Sequence, residues 1–119
     1  MYSIFIYRPT VGTLDEFIAG LEGFEWDAGN SDKNWLRHSV RQVEAEQAMM
    51  SRPLTLAADI RHSQQEPRFL ALGQTNAGRL LTVVFTVRGN RIRVISARAM
   101  SETEQRVYAQ AQARSESDS

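Results

Sequence analysis

The stretch RLLTVVFTVRGNRIRVISARAM, Arg79 to Met100, decides the fold. Val, Ile, Phe and Thr crowd both halves, and Gly89-Asn90 between them is a two-residue hairpin signal. With that loop, Arg88 faces Arg91, and the pairs run back in register as Val87/Ile92, Phe85/Val94, Val83/Ser96 and Leu81/Arg98. Residues two apart in a strand share a face. Arg91 and Arg93 therefore fall on one side, and Ile92, Val94, Ser96 and Arg98 on the other. The apolar face ends in an arginine. An unpaired buried charge is too costly to keep, so Arg98 must be ion-paired or open into a cleft. A salt bridge to the C-terminal helix or to Glu66 meets that demand, and so does an anion site.

Working outward, "LTLAAD" (Leu54 to Asp59) and "RFLALGQT" (Arg68 to Thr75) read as two further strands, with "TNAG" as the turn into the third. Helices flank this meander. "TLDE" (Thr13 to Glu16) is a capping box, with Leu14, Phe17, Ile18 and Leu21 at helical spacing behind it and Gly23 ending the helix. "FEW" reads as a brief strand and "DAGN" as a turn, after which Ser31 caps a helix through "DKNWLRH". "SVRQ" (Ser39 to Gln42) is a second box, opening a helix to about Met50 with Leu36, Val40, Val43 and Met50 as its buried stripe; Pro53 stops it. "SETE" (Ser101 to Glu104) starts a C-terminal helix with Val107, Tyr108 and Ala111 inward, and "QARSESDS" reads as a disordered tail. The class is α+β: an antiparallel sheet of at least four strands, with N-terminal helices and a C-terminal helix, the helices packed mainly on one face.

The 119 residues make one domain with a modest core. There is no cysteine, which excludes disulfides, thiolate metal sites and cysteine catalysis, and fits a reducing cytoplasm. "IFIY" is only four apolar residues before Arg8-Pro9, too short for a signal peptide or a membrane span. Net charge is zero, but it is unevenly spread. Residues 1–60 carry a net of −4, residues 61–98 carry seven arginines against Glu66 alone, and residues 99–119 carry a net of −2. Thirteen of the fourteen basic residues are arginine, whose planar fork suits phosphate or carboxylate. A GC-rich genome produces the same bias.

His38, His62, Glu66 and Arg68 are the residues that can do chemistry. Two distant histidines do not make a metal signature, and the chain has no phosphate-cradling glycine loop. An acid, a histidine or two and several arginines suffice for RNA cleavage without metal or cofactor. RNA supplies its own 2′-hydroxyl nucleophile, and the protein must move two protons and stabilise charge on phosphorus. The plainer readings are that His38 sits at a helix C-terminus, where imidazolium is favoured, and that Arg68 is a solvated edge charge. Trp26 and Trp35 read as core or staple residues.

"FEWDAGNSDKNWLRHSV" together with "DIRHSQQEPRFLALGQTNAGRLLTVVFTVRGNRIRVISARAMSETEQRVY" resembles the BrnT toxins of bacterial type II toxin–antitoxin systems. The resemblance runs from about Phe24 to Tyr108. It rests on a W-D opening, a helix ending in histidine, an H…E-x-R-F run, G-R-L-L, and I-S-A-R before a helix with E…Y. Its matches here are Trp26, Asp27, His38, His62, Glu66, Arg68, Gly73, Arg79, Ser96, Arg98, Glu104 and Tyr108. Ser39 stands where glycine is usual, Arg37 where lysine is common, and residues 1–23 precede the usual start.

The resemblance implies a RelE-like fold with a ribonuclease domain over residues 24–114, an N-terminal extension over 1–23 and a tail over 115–119. It implies a cytoplasmic endoribonuclease that cuts cellular RNA, with His38, His62, Glu66 and Arg68 catalytic and Arg79 and Arg98 on phosphate. It also implies a small BrnA-type antitoxin as partner, through which DNA is contacted only indirectly. A non-catalytic RNA-binding or protein-docking module and an operon corepressor are the alternatives.

Overall fold

The computed structural model describes residues 8–9, 20–52, 54–58 and 66–117. Among the described residues one sheet of six strands organises the fold: β1 (Arg8–Pro9), β2 (Phe24–Glu25), β3 (Thr55–Ala58), β4 (Phe69–Gln74), β5 (Leu80–Arg88) and β6 (Arg91–Ala99). Their spatial order is β1-β3-β4-β5-β6-β2. The run β3 to β6 is the expected antiparallel meander, with Gly89 at φ +60° opening its last turn, as a primed hairpin loop demands. β1 adds antiparallel to β3 at one edge, and β2 adds parallel to β6 at the other. Helices α1 (Ala28–His38) and α2 (Gln42–Met50) precede the meander, and α3 (Glu102–Ser117) closes the chain. The α+β class expected from the sequence is the class found.

Two apolar clusters define the two faces of the sheet. On the first face Val40, Ala45, Ala48 and Met49 of the α1–α2 segment pack on Leu56, Ala71, Leu81, Val83, Phe85, Ile92, Val94 and Ala97. On the second, Tyr108 of α3 and Met100 meet Ala57, Leu70 and Leu72, with Val84 and Val107 alongside. Helices therefore cover both faces, not mainly one, and among the described residues α3 is the helix on the second. Of the stripe expected on α2, Val40 is buried, but Val43 and Met50 are exposed and Ala45, Ala48 and Met49 pack inward instead. α2 approaches β4 so closely that a Cβ on Gly73 would fall on the Ala48 carbonyl oxygen and within 2.8 Å of its carbon. Only glycine fits there.

Helix starts differ from expectation by a few residues. α1 begins at Ala28, not after Ser31, because Asp27 is its cap: the Asp27 carboxylate accepts from Asn30 N at 3.1 Å, and Asn30 Oδ1 accepts from Asp27 N at 2.7 Å. "DAGN" is thus the first helical turn. α2 begins at Gln42 with Arg41 as its cap, and Glu44 reaches back to the Arg41 N–H at 3.1 Å. Ser39 ends α1 in the left-handed conformation, φ +53°. Glycine enters that conformation without strain, whereas a serine there carries a small cost. The "SETE" box forms as read: Ser101 N donates to Glu104 at 2.8 Å and Glu104 N to Ser101 Oγ at 3.2 Å. α3 runs to Ser117, into the stretch read as a disordered tail. The "TLDE" box and most of the helix behind it, Pro53 and His62 lie outside the described residues, as does the side chain of Leu36.

Candidate functional site

The hairpin starts in the expected register, with Arg88 opposite Arg91, Val87 opposite Ile92 and Phe85 opposite Val94. Between Val84 and Phe85 the register shifts, and the next pairs are Val84/Ser96, Val83/Ala97 and Thr82/Arg98. Ile95 is the extra residue, a β-bulge. From there on, every side chain of β6 lies on the face opposite to the one counted by twos. Ala97 takes the place on the first face that Ser96 was expected to hold. Arg98 moves to the second face, which already carries Arg91 and Arg93. The expectation that Arg98 ends the apolar face is overturned by this single residue.

The backbone around the bulge is not left bare. Asn30 of α1 donates to Val94 O at 3.0 Å, and Asn34 accepts from Ala97 N at 2.9 Å. Both asparagines are buried, and both continue the work of β2 along the β6 edge beyond its two pairs.

On the second face the arginines meet carboxylates. Arg88 grips Glu66 with two hydrogen bonds, at 3.1 and 3.0 Å. Arg93 reaches Glu25 at 2.9 Å and Asp27 at 3.0 Å, and Glu25 also lies 3.7 Å from Arg88. The hydrogen bond from Arg88 holds the Glu66 carboxyl below its usual range against an opposing desolvation, and the charges of Arg88, Arg68 and Arg93 add to this. Arg88 therefore holds one ionised carboxylate, within reach of the charges of Arg68 and Arg93. Arg93 does the same for Asp27, assisted by the Asn30 N–H.

At the other end of this face Arg98 donates to both oxygens of Glu104, at 2.7 and 2.9 Å. Glu104 is 1% exposed and also accepts from Thr82 Oγ1 at 2.9 Å and Ser101 N at 2.8 Å. Burial pushes its carboxyl up, but the bonds from Arg98, Ser101 and Thr82 outweigh that and bring it below the ordinary value. The salt bridge to the C-terminal helix is real, and Arg98 still keeps 29% of its side chain exposed.

The sequence-derived site residues divide. Arg68, just ahead of β4, is close enough for its charge to act on Glu66, whereas Arg98 lies on the second face about 20 Å farther along β5 from Arg88. His38 and Arg79 do not join them. Arg79 lies on the α1–α2 side, where it donates to Ser39 O at 2.9 Å, His38 O at 3.1 Å and Glu44 at 3.2 Å. There it closes the C-terminal end of α1 and satisfies carbonyls that the helix leaves open. From Arg79 to Arg88, the partner of Glu66, is about 30 Å along β5. His38 therefore cannot share one phosphate with Glu66 and Arg68. Reasoning from sequence missed Arg88, Arg93 and Glu25. The alternation of "RIRV" shows Arg93 facing outward, but nothing in its spacing reveals partners near residue 25. Among the described residues no three of His, Asp and Glu group as metal ligands.

A family model described as "Ribonuclease toxin, BrnT, of type II toxin-antitoxin system" matches residues 26–104. The chain belongs to the BrnT ribonuclease toxin family. The matched span opens beside Asp27 and closes on Glu104, so both of these carboxylates lie inside it, while Glu25, the other partner of Arg93, lies one residue before it. Membership in this BrnT family brings an RNA substrate and an antitoxin partner. Among solved structures, the 1.1 Å crystal structure of the Brucella abortus ribonuclease toxin BrnT is similar at 20% identity and a TM-score of 0.48, covering 67% of this chain and 97% of that one. No curated protein matches. Among the described residues no helix is long and apolar enough to cross a membrane.

Proposed function

We propose that this BrnT-family chain is a cytoplasmic, metal-independent endoribonuclease whose reaction takes place on the second face of the sheet, at Glu66 and Arg68. The observation that carries the reading is the bulge at Ile95, which puts Arg98 on the same face as Arg68, Arg88 and Arg93. Bulges recur beside active sites because they re-aim side chains in this way. Glu66, kept ionised by Arg88, suits the acceptance of a proton and not its donation. It takes the proton of the 2′-hydroxyl as that oxygen attacks phosphorus. The P–O5′ bond breaks, and His62, four residues upstream in the sequence, protonates the leaving oxygen. Arg68 stabilises the charge gathering on the phosphoryl oxygens, and Arg98, farther along the same face, holds another phosphate of the strand. The products are a 2′,3′-cyclic phosphate and a 5′-hydroxyl, and loss of cellular RNA stops translation and growth. His38 and Arg79 serve the α1 terminus instead.

The partner in this reading is a small BrnA-type, DNA-binding antitoxin that lays acidic and apolar side chains over the arginine face, so that DNA is met only through it. Purified chain should cut RNA in EDTA and leave a cyclic phosphate. It should fail on a strand with 2′-deoxyribose at the cleavage position. Activity lost in EDTA and restored by Mg²⁺ refutes the mechanism. RNA that is bound but left whole favours the non-catalytic RNA-binding alternative.

A further inference from the structure

We infer that Arg91, at the tip of the β5–β6 hairpin, holds the RNA phosphate next to the one cleaved at Glu66. The inference rests on the ribonuclease reading above and extends it by one contact with the strand. Arg91 stands directly opposite Arg88 in the ladder, and Arg88 grips Glu66 with two hydrogen bonds. Residues so paired have their Cα atoms about 5 Å apart, so Arg91 is one strand away from the side chain that holds Glu66. Both arginines lie on the second face, where Arg93 follows two residues along β6.

Two of these three arginines have their counter-charge within the fold. Arg88 has Glu66 at 3.0 Å and Glu25 at 3.7 Å; Arg93 has Glu25 at 2.9 Å and Asp27 at 3.0 Å. Arg91 is exposed, and among the described residues its side chain has no ion pair or hydrogen bond. Like charges directly opposite each other in an antiparallel pair are destabilising. Carboxylates relieve that repulsion on the Arg88 side, and no described residue relieves it at Arg91. A neutral polar side chain there would avoid the conflict, so the arrangement lacks one anion. A phosphate supplies it, and the planar fork of arginine takes two of its oxygens.

The backbone that carries Arg91 is braced on both sides. Gly89 turns the chain at φ +60°, Asn90 O accepts from Glu22 N at 2.6 Å, and Ile92 N donates to Gly23 O at 2.8 Å. Glu22 thus gives the loop its N–H, while its carboxylate makes no ion pair with Arg91. A contact made equally in the bound state and in the transition state raises affinity and leaves the chemical step alone.

Arg91→Gln and Arg91→Lys are titrated by fluorescence anisotropy, across a salt series, with an all-2′-O-methyl RNA strand that lacks the nucleophile and stays whole. Each phosphate contact on a single strand steepens the fall of log K with log salt by about 0.7. Arg91→Gln should lose about that much slope and bind roughly three- to fivefold more weakly at low salt. Arg91→Lys should restore the slope, because counterion release counts charge. The melting temperature of Arg91→Gln should equal or exceed that of wild type, and its single-turnover cleavage rate at saturating RNA should stay within about twofold. Arg114→Gln, an exposed arginine in the last turn of α3, is the control and should keep the wild-type slope. Wild-type slope and affinity in Arg91→Gln overturn the proposal, as does an equal loss in Arg114→Gln, which would show a general field in place of a contact. A melting temperature several degrees lower overturns it too, since Arg91 would then serve the fold. In each of these cases a wild type that cuts RNA in EDTA leaves the ribonuclease reading standing. A wild type that binds the strand but cuts no RNA removes that reading, and with it the place of Arg91 beside a scissile phosphate.

Discussion

Replacing Arg98 with alanine strands a carboxylate that is 1% exposed. Removing one partner of a buried ion pair typically costs about 3–5 kcal/mol, because the other charge remains without compensation. Two donors survive here, Ser101 N at 2.8 Å and Thr82 Oγ1 at 2.9 Å, which argues for the low end, about 3 kcal/mol. Against a total of about 5–15 kcal/mol the variant still folds at room temperature. Its melting temperature should drop by roughly 10–15 °C for a chain of this size. Urea melts with linear extrapolation measure the loss directly. Charge, not volume, is the cause, so Arg98→Ala with Glu104→Gln should recover part of the loss and be more stable than Arg98→Ala alone. The pH dependence has a definite sign. In the wild type the Glu104 pKa is lowered, so its contribution is present above the ordinary carboxylate range and is lost as pH falls through the folded value. In Arg98→Ala burial acts with far less opposition, the carboxyl accepts a proton more readily, and the deficit against wild type should shrink between pH 7 and pH 4. An Arg98→Ala variant within about 1 kcal/mol of wild type, or a double variant less stable than the single, refutes this reasoning.

Three further outcomes follow from other contacts. Gly73→Ala drives a methyl into the Ala48 carbonyl and should destabilise by about 2–3 kcal/mol in the same urea melts, with no change in cleavage per folded molecule. Ser39→Gly relieves a left-handed serine and should raise stability by roughly 0.5–1 kcal/mol; a loss of stability would mean the turn depends on the serine side chain. Glu66→Gln should lower the cleavage rate by at least about a hundredfold, whereas His38→Ala should leave it within about twofold. The reverse order would move the chemistry to the α1 terminus.

The elements of this fold were legible where a short-range rule decides them. Gly89-Asn90 set the hairpin, Ser101 with Glu104 set the start of α3, and the apolar runs of the meander had few other structures to form. The start of α1 was missed because its reciprocal cap uses Asn30, an amide, where the usual signal is a glutamate or glutamine three residues on. Site residues were legible one at a time but not as a group, since Glu25 and Asp27 meet Arg93 across more than sixty residues of chain. The bulge is the instructive failure. Counting by twos from the turn assumes an unbroken ladder, and one inserted residue reverses every assignment beyond it. A trace of it was present: buried residues on the first face occur at Ile92, Val94 and then Ala97, a step of two followed by a step of three, with Ile95 directly beside Val94. The same step has a chemical consequence. An unbroken β6 would set Arg98 beneath α1 and α2, on the opposite side of the sheet from Arg93 and Arg68 and away from Glu104. With Ile95 inserted, arginines from both ends of β6 share one face, and the carboxylate that receives Arg98 is the one that also caps α3.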